Sequence, residues 1–352
     1  MVINRIIQCS HADGSGMYMS RVSTIKDIAA RVGVSTATVS AALGKNPAGT
    51  IRVSAATRQR IQEAANALNY RPNSIARSLR SKRTNIIGLY TSHGYLNPHV
   101  SFTAQIVGGL HKGCDENGLD LLLHSFHADR PVEAVVSELI DGQIDGLILY
   151  TAAHDPLAEK LKTASLPIVV IVDAIEGLPS VTADDADGMR QLAGYLWGRG
   201  HRHIWFRMPV RELASASARL AAFKQEAHAL GMRVDTSDRV ITHEHPTFDE
   251  LEWLSKPRAQ RPTAAVCWND LTAYHLLEYC RNAGIRVPED LAVAGFDGLP
   301  TLIPGIVNLT TVWVPWADVV RAAVPLLIQR IEGKKIPDVT TFPVEFVQGA
   351  TA

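Results

Sequence analysis

The chain has 352 residues, 46% of them hydrophobic and 20% charged, with 35 basic and 35 acidic side chains that leave no formal net charge. It is too long for one small core, its composition is ordinary for a soluble globular protein, and its average charge does not point to nucleic acid. No apolar run approaches the roughly 18 residues that cross a bilayer, and Cys9, Cys114, Cys267 and Cys280 show neither CxxC spacing nor an evident pairing, which fits reduced thiols and gives no zinc site.

Taken in order, residues 1–22 begin with an apolar stretch far too short for a secretory signal, and are expected to be disordered. Thr24 is a good N-cap with Asp27 three residues on, a loose capping box. Ile25, Ile28, Ala29 and Val32 follow at helical spacing, and Gly33 can take the left-handed conformation that ends the helix. Ser35 caps a second helix, Thr36 to Leu43, whose Val39, Ala42 and Leu43 face the first. Two short helices joined by a tight glycine turn read as a helix-turn-helix. The outer face of the second carries Thr36, Ala37, Ser40 and Ala41, where a recognition helix meets base edges. Ser54 caps a third helix through about Leu68, with Ile61, Ala64, Ala65 and Leu68 as its stripe and Asn69 to close it. Asn73–Arg80 is basic and polar, too short to hold a helix without a partner.

The even net charge conceals an asymmetry. Between Arg21 and Arg83 twelve lysines and arginines face only Asp27 and Glu63. A basic head on an acidic body is the electrostatic footprint of a DNA-binding domain joined to something else.

From Asn85 onward, apolar runs at Ile86–Ser92, Leu119–Ser125, Asp145–Tyr150, Pro167–Val172, His203–Arg207, Ala264–Trp268 and Leu291–Phe296 read as strands. Helical patterns lie between them near Phe102–Asn117, Pro131–Gly142, Pro156–Ala164, Ala186–Arg199, Ser217–Leu230, Phe248–Ser255 and Leu271–Ala283. Continuous apolar strands separated by helices imply parallel sheets covered on both faces, and this many elements imply two doubly wound lobes with a cleft between them.

Catalytic patterns are missing from the sequence: no GxxxxGK[ST], no GxSxG and no HExxH. His201, His203, His243 and His245 read as surface or edge histidines; Asp184, Asp185 and Asp187 could bind a cation but read better as acids favoured at a helix start. Neither an enzyme, a metal site nor a cofactor is expected.

TIKDIA, VGVS and ATVS, then RVSAATRQRI, then LNYRPNSIARSLRSKRTNIIGLY, occur in order and at spacing that resembles the lactose-repressor/galactose-repressor family of bacterial transcription factors. The blocks LWGRGHRHI, AAVCWNDLTA, GIRVPEDLAVAGFDG and LTTVWVPW extend the resemblance to the C-terminus. The resemblance implies an α-helical helix-turn-helix head followed by an α/β, two-lobed, periplasmic-binding-protein-like effector domain of doubly wound parallel sheets. Three strands are then expected to cross between the lobes, near Thr182, Val314 and Phe342. The domains are expected at 1–22 (extension), 23–70 (head), 71–84 (hinge) and 85–352 (effector binding and dimerisation). The head reading and the resemblance together place DNA contacts at Thr24, Ser35, Thr36, Ala37, Thr38, Ser40 and Ala41, and in the hinge at Asn73, Ala76, Arg77, Leu79 and Arg80. Leu79 is expected to wedge into the minor groove once two hinge segments pair on DNA. Effector contacts are implied at Ser92, Asp173, Arg219, Trp268, Asn269, Asp297 and Trp316. Carboxylates and amides suit vicinal hydroxyls, an arginine fork reads a hydroxyl pair or a carboxylate, and an indole face suits a sugar ring.

Departures from the family pattern fall at Ala41, where an arginine that reads a base edge is usual, at Val314, where a polar residue is common, and at Gly298, where a second aspartate is expected after Asp297. The reading is a cytoplasmic, homodimeric regulator, a repressor binding double-stranded operator DNA under control of a carbohydrate effector. The alternative is a stand-alone periplasmic-type sugar-binding protein, which the basic head disfavours. No leucine heptad tail suggests a tetramer.

Overall fold

The computed structural model describes residues 23–43, 52–71, 83–125, 129–152, 154–209, 213–236, 248–300 and 308–352. The chain divides into two compact units, Met1–Ser81 and Lys82–Ala352. The expectations for the N-terminal extension and for Asn73, Ala76, Arg77, Leu79 and Arg80 lie outside the described residues.

In the first unit, α1 (Ile25–Val32) starts at the box foreseen: the Asp27 carboxylate accepts from the Thr24 amide at 2.8 Å and the Thr24 hydroxyl at 2.7 Å. Gly33, at φ 73°, turns the chain out of it. Ser35 Oγ accepts the Thr38 amide at 3.1 Å to start α2 (Thr36–Leu43), and Ser54 Oγ accepts the Thr57 amide at 3.2 Å to start α3 (Ala55–Ala67). Ile28, Ala29, Val32, Val39, Ala42, Ile61, Ala64 and Ala65 form the shared core. Two arginines of α3 serve the fold: Arg58 donates to the Ala42 carbonyl at 2.7 Å and Arg60 to the Val32 carbonyl at 2.8 Å. Each meets the C-terminal end of a neighbouring helix, where the partial charge is negative.

The second unit has two lobes. Lobe one is built from β1 (Ile86–Thr91), α4 (Ser101–Glu116), β2 (Asp120–Leu123), α5 (Val132–Leu139), β3 (Gly146–Tyr150), α6 (Pro156–Leu161), β4 (Ile168–Val172) and β5 (Ser180–Ala183). Its parallel sheet runs β11-β5-β4-β3-β1-β2, the outermost strand β11 (Val339–Phe342) arriving from the end of the chain. Alternation along a single strand shows why both faces are covered. On β4, Ile168 and Val170 join the core under α5 and α6, while Val169 and Ile171 join the core on the other side. That other side is closed by α4 and by α11 (Trp316–Ile331).

Lobe two comprises α7 (Asp185–Gly198), β6 (His203–Arg207), α8 (Ala214–Ala229), β7 (Arg233–Thr236), α9 (Phe248–Ser255), β8 (Ala264–Cys267), α10 (Asp270–Asn282) and β9 (Ala292–Ala294). Its parallel sheet is ordered β7-β6-β8-β9, and β10 (Thr311–Trp313) pairs antiparallel with β12 (Glu345–Val347) beside it. The chain passes between lobes after Ala183, after Trp313 and after Phe342, close to the three crossings expected.

Helix α11 was not among the expected elements. Pro325 sits inside it and lacks the amide that would bond the Arg321 carbonyl, so the local pattern reads as broken. Packing outweighs that loss. Val319, Val320, Ala323, Val324 and Leu327 are buried, and α4 approaches so closely that a Cβ on Gly109 would lie 2.3 Å from the Ala317 carbonyl oxygen.

Candidate functional site

The carboxyl ends of the lobe-one strands, the start of α11 and the ends of β8 and β9 converge on one cavity of about 440 Å³. Asp173 follows β4 and is 2% exposed; its Oδ1 accepts the Ser215 amide from lobe two at 3.0 Å. The preceding Val172 adopts φ 76°, and Asp297 adopts φ 121°. Such backbone is strained for a β-branched or ordinary residue and tends to collect at functional sites. Two bonds to the crossing strand hold Asp297: its amide donates to the Val312 carbonyl at 2.8 Å and its carbonyl accepts the Val314 amide at 3.1 Å.

Arg219, on α8, is the hub. It is 2% exposed, donates from Nε to Asp185 Oδ1 at 2.7 Å and from an Nη to the Trp268 carbonyl at 2.7 Å, and stands 3.5 Å from Asp297 Oδ1. Its guanidinium carbon lies 3.8 Å from the Phe296 ring centroid. From lobe one, Trp316 Nε1 donates to the same Asp297 oxygen at 3.3 Å. Behind these, Asp270 accepts from the Leu299 amide at 2.7 Å and from the Thr311 hydroxyl at 2.5 Å. An aromatic wall completes the cavity: Phe102 meets Trp316 edge-on at 5.1 Å and Tyr150 at 6.0 Å, and Tyr150 meets His93 at 4.4 Å between centroids.

The charges do not balance. Among the described lining residues Arg219 is the only arginine or lysine, against Asp173, Asp270 and Asp297, with Asp185 bound behind it. Burial is the main cause that lifts the Asp297 carboxyl to about 8; the Asp270 and Asp185 carboxylates add to it, and Arg219 and the Trp316 bond oppose it. Burial likewise lifts Asp270 to about 6, and raises Asp185 against the pull of Arg219. The Tyr150 phenol is raised by burial first and then by Asp173 and Asp297.

Of the effector residues expected from sequence, Asp173, Arg219, Trp268, Asn269, Asp297 and Trp316 share this one wall. Asn269 also has a structural task, its Oδ1 accepting the Thr272 amide at 2.9 Å to cap α10. Ser92 stands apart from this set. The cavity is lined by Thr91 and His93 on either side of it, while the Ser92 hydroxyl bonds that of Thr151, which in turn donates to Asp155 Oδ2 at 2.5 Å. Gly298 has its own reason: at φ 69°, a Cβ there would lie 2.6 Å from the Trp313 Cα, so no aspartate fits. Val314 is 2% exposed and belongs to the core.

Sequence reasoning missed Asp270, Tyr150, Phe102 and His93, and weighed Asp185 as a cation ligand or a helix-start acid but not as a partner of Arg219. Tyr150 ends a strand, and strand carboxyl ends are where doubly wound sheets bind ligands, so that signal was present. In the head, Thr24, Ser35, Thr36 and Ala37 are exposed, and Thr38, Ser40 and Ala41 are half-buried.

A two-lobed cleft protein with a helix-turn-helix head is the architecture of a ligand-controlled transcription regulator. Residues 24–73 match the family described as bacterial regulatory proteins, lacI family, and residues 193–352 match the periplasmic binding protein-like domain. The HTH-type transcriptional repressor PurR of Aliivibrio fischeri (strain MJ11) is 30% identical over 327 residues, covering 89% of this chain and 93% of that protein. CytR of Escherichia coli (strain K12), also an HTH-type transcriptional repressor, is 29% identical over 89% of this chain and 91% of its own. Among solved structures, the lac repressor dimer bound to operator and the anti-inducer ONPF superposes with a TM-score of 0.78 at 23% identity, covering 94% of this chain and 99% of that one. The transcriptional regulator CelR in complex with cellobiose gives a TM-score of 0.65 at 26% identity, covering 94% of this chain and 100% of that one. The chain belongs to the lacI family of bacterial regulatory proteins, and it is a DNA-binding transcriptional regulator.

Proposed function

We propose that this regulator is a cytoplasmic homodimeric repressor of operator DNA, and that an uncharged, polyhydroxylated effector of carbohydrate type, bound in the cleft, sets its operator affinity. The observation that carries the effector reading is the buried Arg219 held among Asp185, Asp297 and the Trp268 carbonyl inside an aromatic-walled cavity. Carboxylates accept bonds from hydroxyls, the aromatic rings offer a platform for a sugar face, and the surplus of acids opposes a phosphate or carboxylate ligand. Asp173, Arg219, Trp268, Asn269, Asp297 and Trp316 are the proposed effector residues, with Asp270 and Tyr150 added.

On the DNA side, the proposed contacts are Thr24, Ser35, Thr36, Ala37, Thr38, Ser40 and Ala41 in the head, and Asn73, Ala76, Arg77, Leu79 and Arg80 in the hinge. The helix-turn-helix unit speaks against a free-standing sugar-binding protein. Asp173, Trp316 and the Ser101 hydroxyl, which donates to the Pro300 carbonyl at 3.0 Å, tie one lobe to the other, so a ligand among them acts on both lobes at once. Thermal-shift screening against sugars, their phosphates and nucleobases tests the reading. A ligand at 100 times its dissociation constant stabilises the folded state by about 2.7 kcal/mol. The expected result is a rise with an uncharged sugar and none with its phosphate; a rise with the phosphate alone contradicts the charge argument.

A further inference from the structure

Helix α2 has the sequence TATVSAAL. Val39 and Ala42 are buried, and at 100° per residue the side opposite Val39 holds Ala37 and Ala41, one turn apart and flanked by Thr36 and Ser40. Nowhere in α2 is there an amide, a carboxylate, an ammonium or a guanidinium. The hydroxyls at its start serve the helix: Ser35 Oγ caps it and lies 2.8 Å from Thr38 Oγ1. Nor do the α3 arginines nearest in sequence lend reach, because Arg58 is tied to the Ala42 carbonyl and Arg60 to the Val32 carbonyl.

In the major groove, base pairs are told apart by bidentate polar side chains and by the thymine methyl. The first means is absent from this helix. A hydroxyl donates or accepts and so discriminates weakly between bases. What remains on the side opposite Val39 is a pair of alanine methyls, Ala37 exposed and Ala41 half-buried, and these match the one apolar mark a base edge carries. We propose that Ala37 and Ala41 read thymine methyl groups, so that each operator half-site places thymines beneath α2 and these methyls set its major-groove specificity. The inference rests on α2 being the recognition helix.

The experiment uses the full-length protein. A randomised-site selection defines the operator, and binding is then measured on duplexes in which deoxyuridine replaces thymidine one position at a time. That exchange removes the methyl and keeps every hydrogen-bonding group. Each methyl lost is expected to weaken binding about fourfold, the equivalent of one buried CH₂-sized group, and replacing the matching bases in both half-sites on the order of tenfold. In Ala41→Gly the penalty at one position should shrink even though overall affinity falls, because the protein methyl is already gone. Thymine-free half-sites under α2, or uridine bound as tightly as thymine, overturn the proposal while DNA recognition by the head stands. Failure to select any sequence, or selection unaffected by Ala37→Arg and Ala41→Arg, overturns the recognition-helix reading itself.

Discussion

The helix proposed to meet DNA and the cleft proposed to meet the effector are opposites in chemistry. Helix α2 turns small, neutral side chains away from the core of the head, while the cleft gathers four carboxyl groups around one guanidinium behind aromatic rings. An exposed face loses little when one of its groups is changed, because water fills in. A buried charge cluster loses much, because each member is the solvation of the next. The two halves of the regulator should therefore answer mutation on different scales.

The largest effect is expected from Arg219→Ala. Asp185 and Asp297 lose their shared partner in the interior, and breaking a buried pair from one side costs about 3–5 kcal/mol. Thermal unfolding of the second unit should fall accordingly and the effector response should vanish. Ala37→Gly in the head should cost only about 1 kcal/mol, the ordinary price of glycine in a helix. Equal losses would break the contrast.

Asp297→Asn gives a smaller and pH-dependent effect. The carboxyl is lifted in the fold to about 8, well above its unfolded value of about 3.9. A group raised in this way contributes stability that is fully present below the unfolded value and is lost as pH rises through the folded one. The ligand-free protein should therefore lose thermal stability between about pH 4 and 8. Asparagine at this position, facing the same Arg219, Asp185, Asp270, Asp173, Tyr150 and Trp316, should flatten the upper part of that decline. Asp270, lifted to about 6, keeps the lower part. Identical pH profiles for wild type and variant would show that Asp297 is already ionised when the cleft is empty.

The smallest effect belongs to Ser92→Ala. Its hydroxyl bonds Thr151 rather than facing the cavity, so effector affinity should be unchanged and stability should fall by about 1 kcal/mol. A tenfold loss of effector affinity would restore Ser92 to the wall.

Local patterns carried the scaffold. Thr24, Gly33, Ser35 and Ser54 act within a few residues of themselves, and the apolar strands of both lobes announce their burial without knowledge of their neighbours. Helix α11 was hidden because Pro325 breaks its local pattern, and only packing on α4 and lobe one restores it. The site was half legible. The resemblance marked Arg219 and Asp297, yet nothing in spacing joins Arg219 to Asp185 or Asp270 to Thr311, positions that meet only when the lobes fold. Ser92 shows the converse. Along β1 and the turn after it, neighbours face different sides, and Thr91 and His93 line the cavity on either side of the serine that the resemblance marked.

The central claim is that occupancy of the cleft and grip on DNA are one equilibrium. The direct measurement takes the sugar giving the largest thermal shift and determines four dissociation constants: operator with and without sugar, and sugar with and without operator. Linkage requires the two ratios to be the same factor, in the range of about 5 to 150 for an ordinary coupling. A shared factor in that range, collapsing to one in Arg219→Ala, is the predicted result. A sugar that stabilises the protein through the cleft and leaves operator affinity unchanged would contradict the account.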